Sequence, residues 1–265
     1  MPAVIWSVLA CNTMHPDIPQ DAGTLNEESL PDVYLAASPD TFVGIYTLAR
    51  KVFGDDLTPC PTANEDEAGV YYEGQGCTDK WGATWHGSMN RLDREGIAEF
   101  NDFGPEFDDW RGASNYRLDG TVEWTYPDLQ DTNDVKIVTD IVLTWEDDGT
   151  LVYVGGTGRA LASGPILRDR SGAIGVGDWG TAEVEHTELF TAGARGCNQA
   201  VDGLVNLHAA NKGSVDLPKE TCALDTTTGG KPADCALWTI GDDEGELCIG
   251  DRMVLSPTDA DPPAN

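Results

Sequence analysis

Hydrophobic and polar residues alternate without a break over 116–126. Tyr116, Leu118, Gly120, Val122, Trp124 and Tyr126 fall in one register, and Arg117, Asp119, Thr121, Glu123 and Thr125 in the other. A period of two puts the first set on one face of an extended strand and the second in water. Val135, Ile137, Thr139, Ile141, Leu143 and Trp145 repeat the pattern, and Glu146-Asp147-Asp148-Gly149-Thr150 reads as a turn into a strand starting at Leu151. Further strands are expected near 69–75, 83–92, 95–103, 181–190, 200–209, 235–240 and 246–250. The connections are too short for crossover helices, so neighbours pair antiparallel in a meander. Strands this long with one apolar face must curl round a core or pack on a second layer, giving a curved sheet, partial barrel or sandwich. No internal repeat marks a propeller or solenoid.

The period changes once, near the front. Ser38 is placed to cap a helix and Pro39 suits its first position. Phe42, Ile45, Tyr46, Ala49, Val52 and Phe53 then recur at helical spacing before Gly54 ends the run. The expected fold is therefore mainly β, with one N-terminal helix packed on the sheet and disulfide cross-links. Residues 11–37, rich in Pro, Asp, Glu and Asn, read as a flexible acidic linker, 38–250 as a single β-rich domain, and 251–265 as a frayed tail. The stretch from Pro165 to Gly180, rich in Gly, Arg and Asp, reads as a long loop. Gly155-Gly156-Thr157-Gly158 reads as a bulge or turn, because no helix follows to make it a nucleotide-binding loop.

Charge narrows the partners. With 46 Asp and Glu against 16 Lys and Arg the formal net charge is −30, so phosphate backbones are repelled and nucleic acid is excluded as a partner. The carboxylates are spread along the chain, as on a solvated surface suited to high salt, and a marine or halophilic source is expected. A cation store is the competing reading.

Seven cysteines with no C-x-x-C pair, and four histidines far from them in sequence, point to disulfides and an oxidising compartment rather than to zinc. The odd cysteine is Cys11, directly behind an apolar stretch. Val8-Leu9-Ala10-Cys11 resembles the lipobox of bacterial lipoproteins. That resemblance implies that residues 1–10 are the remnant of a signal peptide, that Cys11 carries the lipid, and that the protein is exported to the outer membrane or cell surface with the membrane as partner. The alternative is that residues 3–10 form a buried strand. Lipidation would leave Cys60, Cys77, Cys197, Cys222, Cys235 and Cys248 to pair. A bridge between Cys60 and Cys77 is expected; the last four allow 197 with 248 and 222 with 235, or a hairpin bridge of 235 with 248. The run from Gly76 to Ser88 resembles a cysteine-turn-strand element of uncharacterised lipoproteins of myxobacteria and their relatives. This resemblance implies surface location and a β-rich fold and carries no activity.

Motifs of serine hydrolases, P-loop enzymes and zincins are absent from the sequence. Asp128, Asp131, Asn133 and Asp134 crowd one loop and offer oxygen ligands to Ca2+, as do Asp242, Asp243, Glu244 and Glu246; a solvated turn is the plainer reading of both. Trp81, Trp85, Trp110 and Trp179 lie in or beside Gly-rich and polar segments and are candidates to stack on a glycan or anchor an envelope protein. Capping the ends of the sheet core is their competing role. The expectation is a surface-anchored, non-catalytic lipoprotein with a binding or structural role at the cell envelope. The alternatives are a secreted polysaccharide hydrolase using paired carboxylates and a calcium-stabilised adhesion module.

Overall fold

A computed structural model describes residues 18–51, 53, 60–80, 82–107, 115–127, 134–146, 149–161, 166–187, 190–192, 200–201, 203–217 and 236–247. Two helices come first, α1 (Leu30–Ala37) and α2 (Pro39–Arg50). The strands are β1 (Thr62–Glu65), β2 (Val70–Glu73), β3 (Cys77–Thr78), β4 (Ala83–Leu92), β5 (Ile97–Phe107), β6 (Tyr116–Thr125), β7 (Asp134–Trp145) and β8 (Leu151–Leu161). There follow β9 (Ile166–Val176), β10 (Gly180–His186), β11 (Phe190–Ala192), β12 (Ala200–Val201), β13 (Gly203–His208), β14 (Lys212–Leu217), β15 (Ala236–Ile240) and β16 (Asp243–Leu247). All of them join one antiparallel, curved, open sheet whose main path runs β1-β2-β4-β5-β6-β7-β8-β9-β10-β13-β14-β15-β16.

The meander is the expected one, and its long hairpins follow from the alternation. Val135, Ile137, Thr139, Ile141 and Leu143 are all fully buried on one face of β7, and the β7–β8 register runs without a break from Asp134↔Leu161 to Thr144↔Leu151. On β6, Tyr116, Leu118, Val122 and Trp124 are buried as the pattern requires. The sheet curls because of what it covers. α2 touches β4, β6 and β9, and β4 lies five strand spacings, about 24 Å, from β9 along the sheet. A helix about 10–12 Å across meets both only if the sheet bends round it. α1 fills the same hollow against β8 and β9. Both helices, with Phe42, Ile45, Leu48, Trp85, Phe103, Trp124, Ile141 and Ile174, belong to a single core cluster.

α2 starts as expected. The Ser38 hydroxyl accepts from the Asp40 amide, with Pro39 in the first turn. It stops at Arg50, because Lys51 turns to an extended conformation, and Phe53 packs edge-on against Tyr72, Trp85 and Phe103 outside the helix. Val52 and Gly54 lie outside the described residues. The Arg91 guanidinium donates to the carbonyls of Arg50 and Lys51, so a sheet side chain closes the helix end.

Three expectations are corrected. From Ile18 onward the segment read as a flexible linker is part of the fold. α1 buries Leu30, Val33, Tyr34, Ala36 and Ala37, the Asn211 side chain brackets the Leu25 backbone with two hydrogen bonds, and Asp21 and Gly23 exchange backbone hydrogen bonds with Thr181. Secondly, the stretch read as a loop over 165–180 is strand β9, paired with β8 on one side and β10 on the other. Its inward face carries a charged residue, Arg170, which gives no apolar alternation to mark a strand, and Gly172 lets its backbone approach β8, since a Cβ there would sit 2.2 Å from the Gly155 carbonyl oxygen. Thirdly, of the bulge or turn expected at Gly155 to Gly158 the turn is ruled out: all four residues lie within β8 and pair with β7, while only Thr157 and Gly158 pair with β9. Strands β1 and β14 were also not expected. Thr62–Glu65 is exposed throughout, and Lys212–Leu217 shows only Val215 and Leu217 as apolar signal.

Cys60 and Cys77 are bonded, with Cα atoms 5.8 Å apart, tying the segment after α2 to β3. Cys11, Cys197, Cys222, Cys235 and Cys248 lie outside the described residues, as do residues 1–10 and 251–265.

Candidate functional site

The connection between the two helices is a single residue, Ser38, and the sheet delivers polar side chains to it. Arg170 of β9 and His186 of β10 are directly opposed in the ladder. Both reach the same acceptor, the Ala37 carbonyl at the end of α1. Arg170 Nη1 donates to it at 3.0 Å and His186 Nε2 lies 2.9 Å from it. A carbonyl only accepts, so the imidazole proton sits on Nε2. Helix ends leave carbonyls without partners and carry partial negative charge, so a guanidinium here is favourably placed.

Arg170 is 1% exposed. Its guanidinium lies over the Phe42 ring, 4.6 Å from the centroid, and burial pushes its pKa down to about 9. It therefore remains a cation near neutral pH. Burial, and then the Arg170 charge, hold the His186 imidazole well below its usual range, opposed by the hydrogen bond to Ala37. The imidazole is neutral beside a charged neighbour. On the helix side, Thr41 Oγ1 donates to the Leu35 carbonyl at 2.6 Å. Burial, with the Asp40 charge second, raises the pKa of the Tyr34 phenol. These buried polar groups gather about the junction of the two helices within an otherwise apolar core.

A second polar row lies nearer the surface. His86 Nε2 is 2.9 Å from Glu106 Oε2, and Arg117 Nη2 is 3.5 Å from the same oxygen. Arg117 Nε reaches towards Glu146 at 3.9 Å, while its Nη1 donates to the Pro105 and Tyr116 carbonyls. The register of β4 on β5 shifts between His86 and Ser88. Gly87 makes this possible with φ 63°, and a Cβ there would lie 2.0 Å from the Asp102 carbonyl oxygen. Arg117 is buried, and both carboxylates are half exposed, so the row works as a brace between β4, β5, β6 and the end of β7.

The residues singled out from the sequence do not converge. Trp85 is fully buried, its indole N–H donating to Asp79 and its ring packed on Phe53 and Phe103. It is a core residue and unavailable to a glycan, which corrects its candidacy as a stacking platform. Trp179 is half buried over Gly23 and donates to the Thr24 carbonyl, holding down the segment ahead of α1. Trp81 and Trp110 lie outside the described residues, as do Asp128 and Asp131. Asp134 is engaged by Arg159 and faces Arg168 at 3.9 Å, so its charge is met by arginines. Asp242, Asp243, Glu244 and Glu246 are exposed around the β15–β16 hairpin. Among the described residues no group of three His, Cys, Asp or Glu side chains is placed to hold a metal.

Sequence reading missed Arg170 and His186. The second was within reach, because Ala182, Val184 and His186 share the buried register of β10. Arg170 gave no such signal, since its strand was not recognised.

No family model, curated protein or solved structure matches the chain. Among the described residues no helix is long and apolar enough to cross a membrane.

Proposed function

We propose that the chain is an envelope-anchored, non-catalytic binding or structural module, exported and held to the membrane by an acylated Cys11. The observation that carries this reading is the closeness of the lipobox-like Val8–Cys11 to the start of the fold. Ile18, seven positions after Cys11, is buried and packs beside Gly175 of β9. Seven residues span at most about 25 Å, so the sheet sits directly behind its anchor rather than at the end of a long tether. The Cys60–Cys77 bridge supports an oxidising compartment, and the acidic chain suits a surface role with a glycan or an envelope protein better than one with nucleic acid.

Metabolic labelling with a palmitate analogue tests the anchor. The native chain is expected to label and to follow the membrane fraction, and Cys11→Ala to do neither. Equal labelling of both, or of neither, would refute it. Envelope extracts and glycan arrays test the binding role, and turnover of a polysaccharide by the purified protein would count against it.

A further inference from the structure

The Arg170 guanidinium has five N–H donors, and only part of that set is used. Nη1 is held by the Ala37 carbonyl, and one face of the group rests on the Phe42 ring. Nε and Nη2 are buried and have no hydrogen-bond partner among the described residues. These two nitrogens carry the parallel N–H pair along one edge of the group, the fork that matches two oxygens of a carboxylate or phosphate. A buried guanidinium is ordinarily balanced by a carboxylate, and leaving its donors unmet is costly. This chain has 46 acidic residues, yet no ion pair among the described residues involves Arg170. The neighbour across the ladder, His186, is held neutral and supplies no counter-charge. Among the described residues the end of α1 and an aromatic ring are what oppose the charge, and both also fix the direction of the fork.

We infer that the Nε and Nη2 edge of Arg170 is the binding site for the carboxylate of a small amphipathic molecule, which enters where the helix pair packs on β9–β10. A single negative charge neutralises Arg170 one for one, whereas a phosphate dianion would leave a net charge beside a neutral imidazole in the core. The apolar part of the ligand matches the surroundings, since the Phe42 ring lies against the guanidinium and Ile174 and Val184 of β9 and β10 belong to the same buried core. This inference gives the binding role proposed above a ligand class and does not depend on Cys11.

The test is a titration of the full chain, labelled with nitrogen-15 in arginine, with sodium octanoate, inorganic phosphate and sodium chloride at matched ionic strength. Comparison with Arg170→Lys assigns the Arg170 Nε–H signal. Octanoate is expected to move that signal to saturation and, at about 100 times its Kd, to raise the Tm by about 5 °C. Arg170→Met, which replaces an unmet charge by an apolar chain of similar length, is expected to melt no lower than the native protein without ligand and to lose the octanoate response. A signal that octanoate does not move, or that chloride moves equally, overturns the inference, as does an undiminished response in Arg170→Met. Saturation by phosphate but not octanoate overturns the carboxylate assignment. If Arg170→Met fails to fold, the native titration alone decides. The readout does not involve acylation, so failure here leaves the anchor standing and failure of the anchor leaves this site standing.

Discussion

His186 and Arg170 show how one buried ladder position sets a pH dependence. The folded chain holds the imidazole neutral well below its ordinary value of 6.5. Above that value neither the folded nor the unfolded chain protonates it, and it contributes no slope. As the pH falls through it, the unfolded chain takes up a proton that the folded chain refuses, so stability drops with acidification, by about 1.4 kcal/mol per pH unit at most for one group. Urea unfolding at pH 7.5 and 5.5 checks this: the native protein should lose more stability over that interval than His186→Phe does. Equal losses would mean that the imidazole protonates freely in the fold. At the β4 bulge, Gly87 has φ 63° and no room for a Cβ beside Asp102. Gly87→Ala should therefore cost about 1–3 kcal/mol, read as a lower urea midpoint. An unchanged midpoint would show that the bulge relaxes.

Between elements, the Cys60–Cys77 bridge closes a loop with a sequence separation of 17. Removing it by Cys60→Ala with Cys77→Ala should cost about 3 kcal/mol, if its main effect is on the unfolded chain; denaturant titration of the double variant measures this. This bridge was legible because its cysteines flank a recognisable helix and strand. Strands β4 to β8 and helix α2 were legible for the same kind of reason: alternation in the first case, and Ser38-Pro39 followed by helical spacing in the second, are local signals that packing merely completes. α1 was not. It has eight residues, too few to stand alone in water, and its Leu30, Val33, Tyr34 and Ala37 were hidden in a stretch rich in Pro and Asp. Its stability comes from the hollow it fills, which only the closed sheet provides. β9 was missed for a related reason. Its core-facing Arg170 and its glycines make sense only opposite the helix end and β8, and neither is near in sequence.

For the whole molecule, these corrections change what sits at the centre. From Ile18 onward the front segment read as a tether is instead the plug of the sheet. Ile18, Leu25 and α1 are buried, and hydrogen bonds tie residues 21–25 to Thr181 and Asn211. The proposed anchor at Cys11 would then hold the domain close to the membrane, not at the end of a long tether. The candidate site depends on the plug directly, because Ala37, the acceptor shared by Arg170 and His186, belongs to that segment. Urea unfolding of the full chain against a chain beginning at Ser38 tests this most directly. The full chain should unfold in one cooperative transition and the shortened chain should show none, having lost Ile18, Leu25 and the buried face of α1 from the core that α2 alone then fills. A shortened chain that unfolds cooperatively at the same urea concentration would contradict the account, returning residues 18–37 to the role of a dispensable linker.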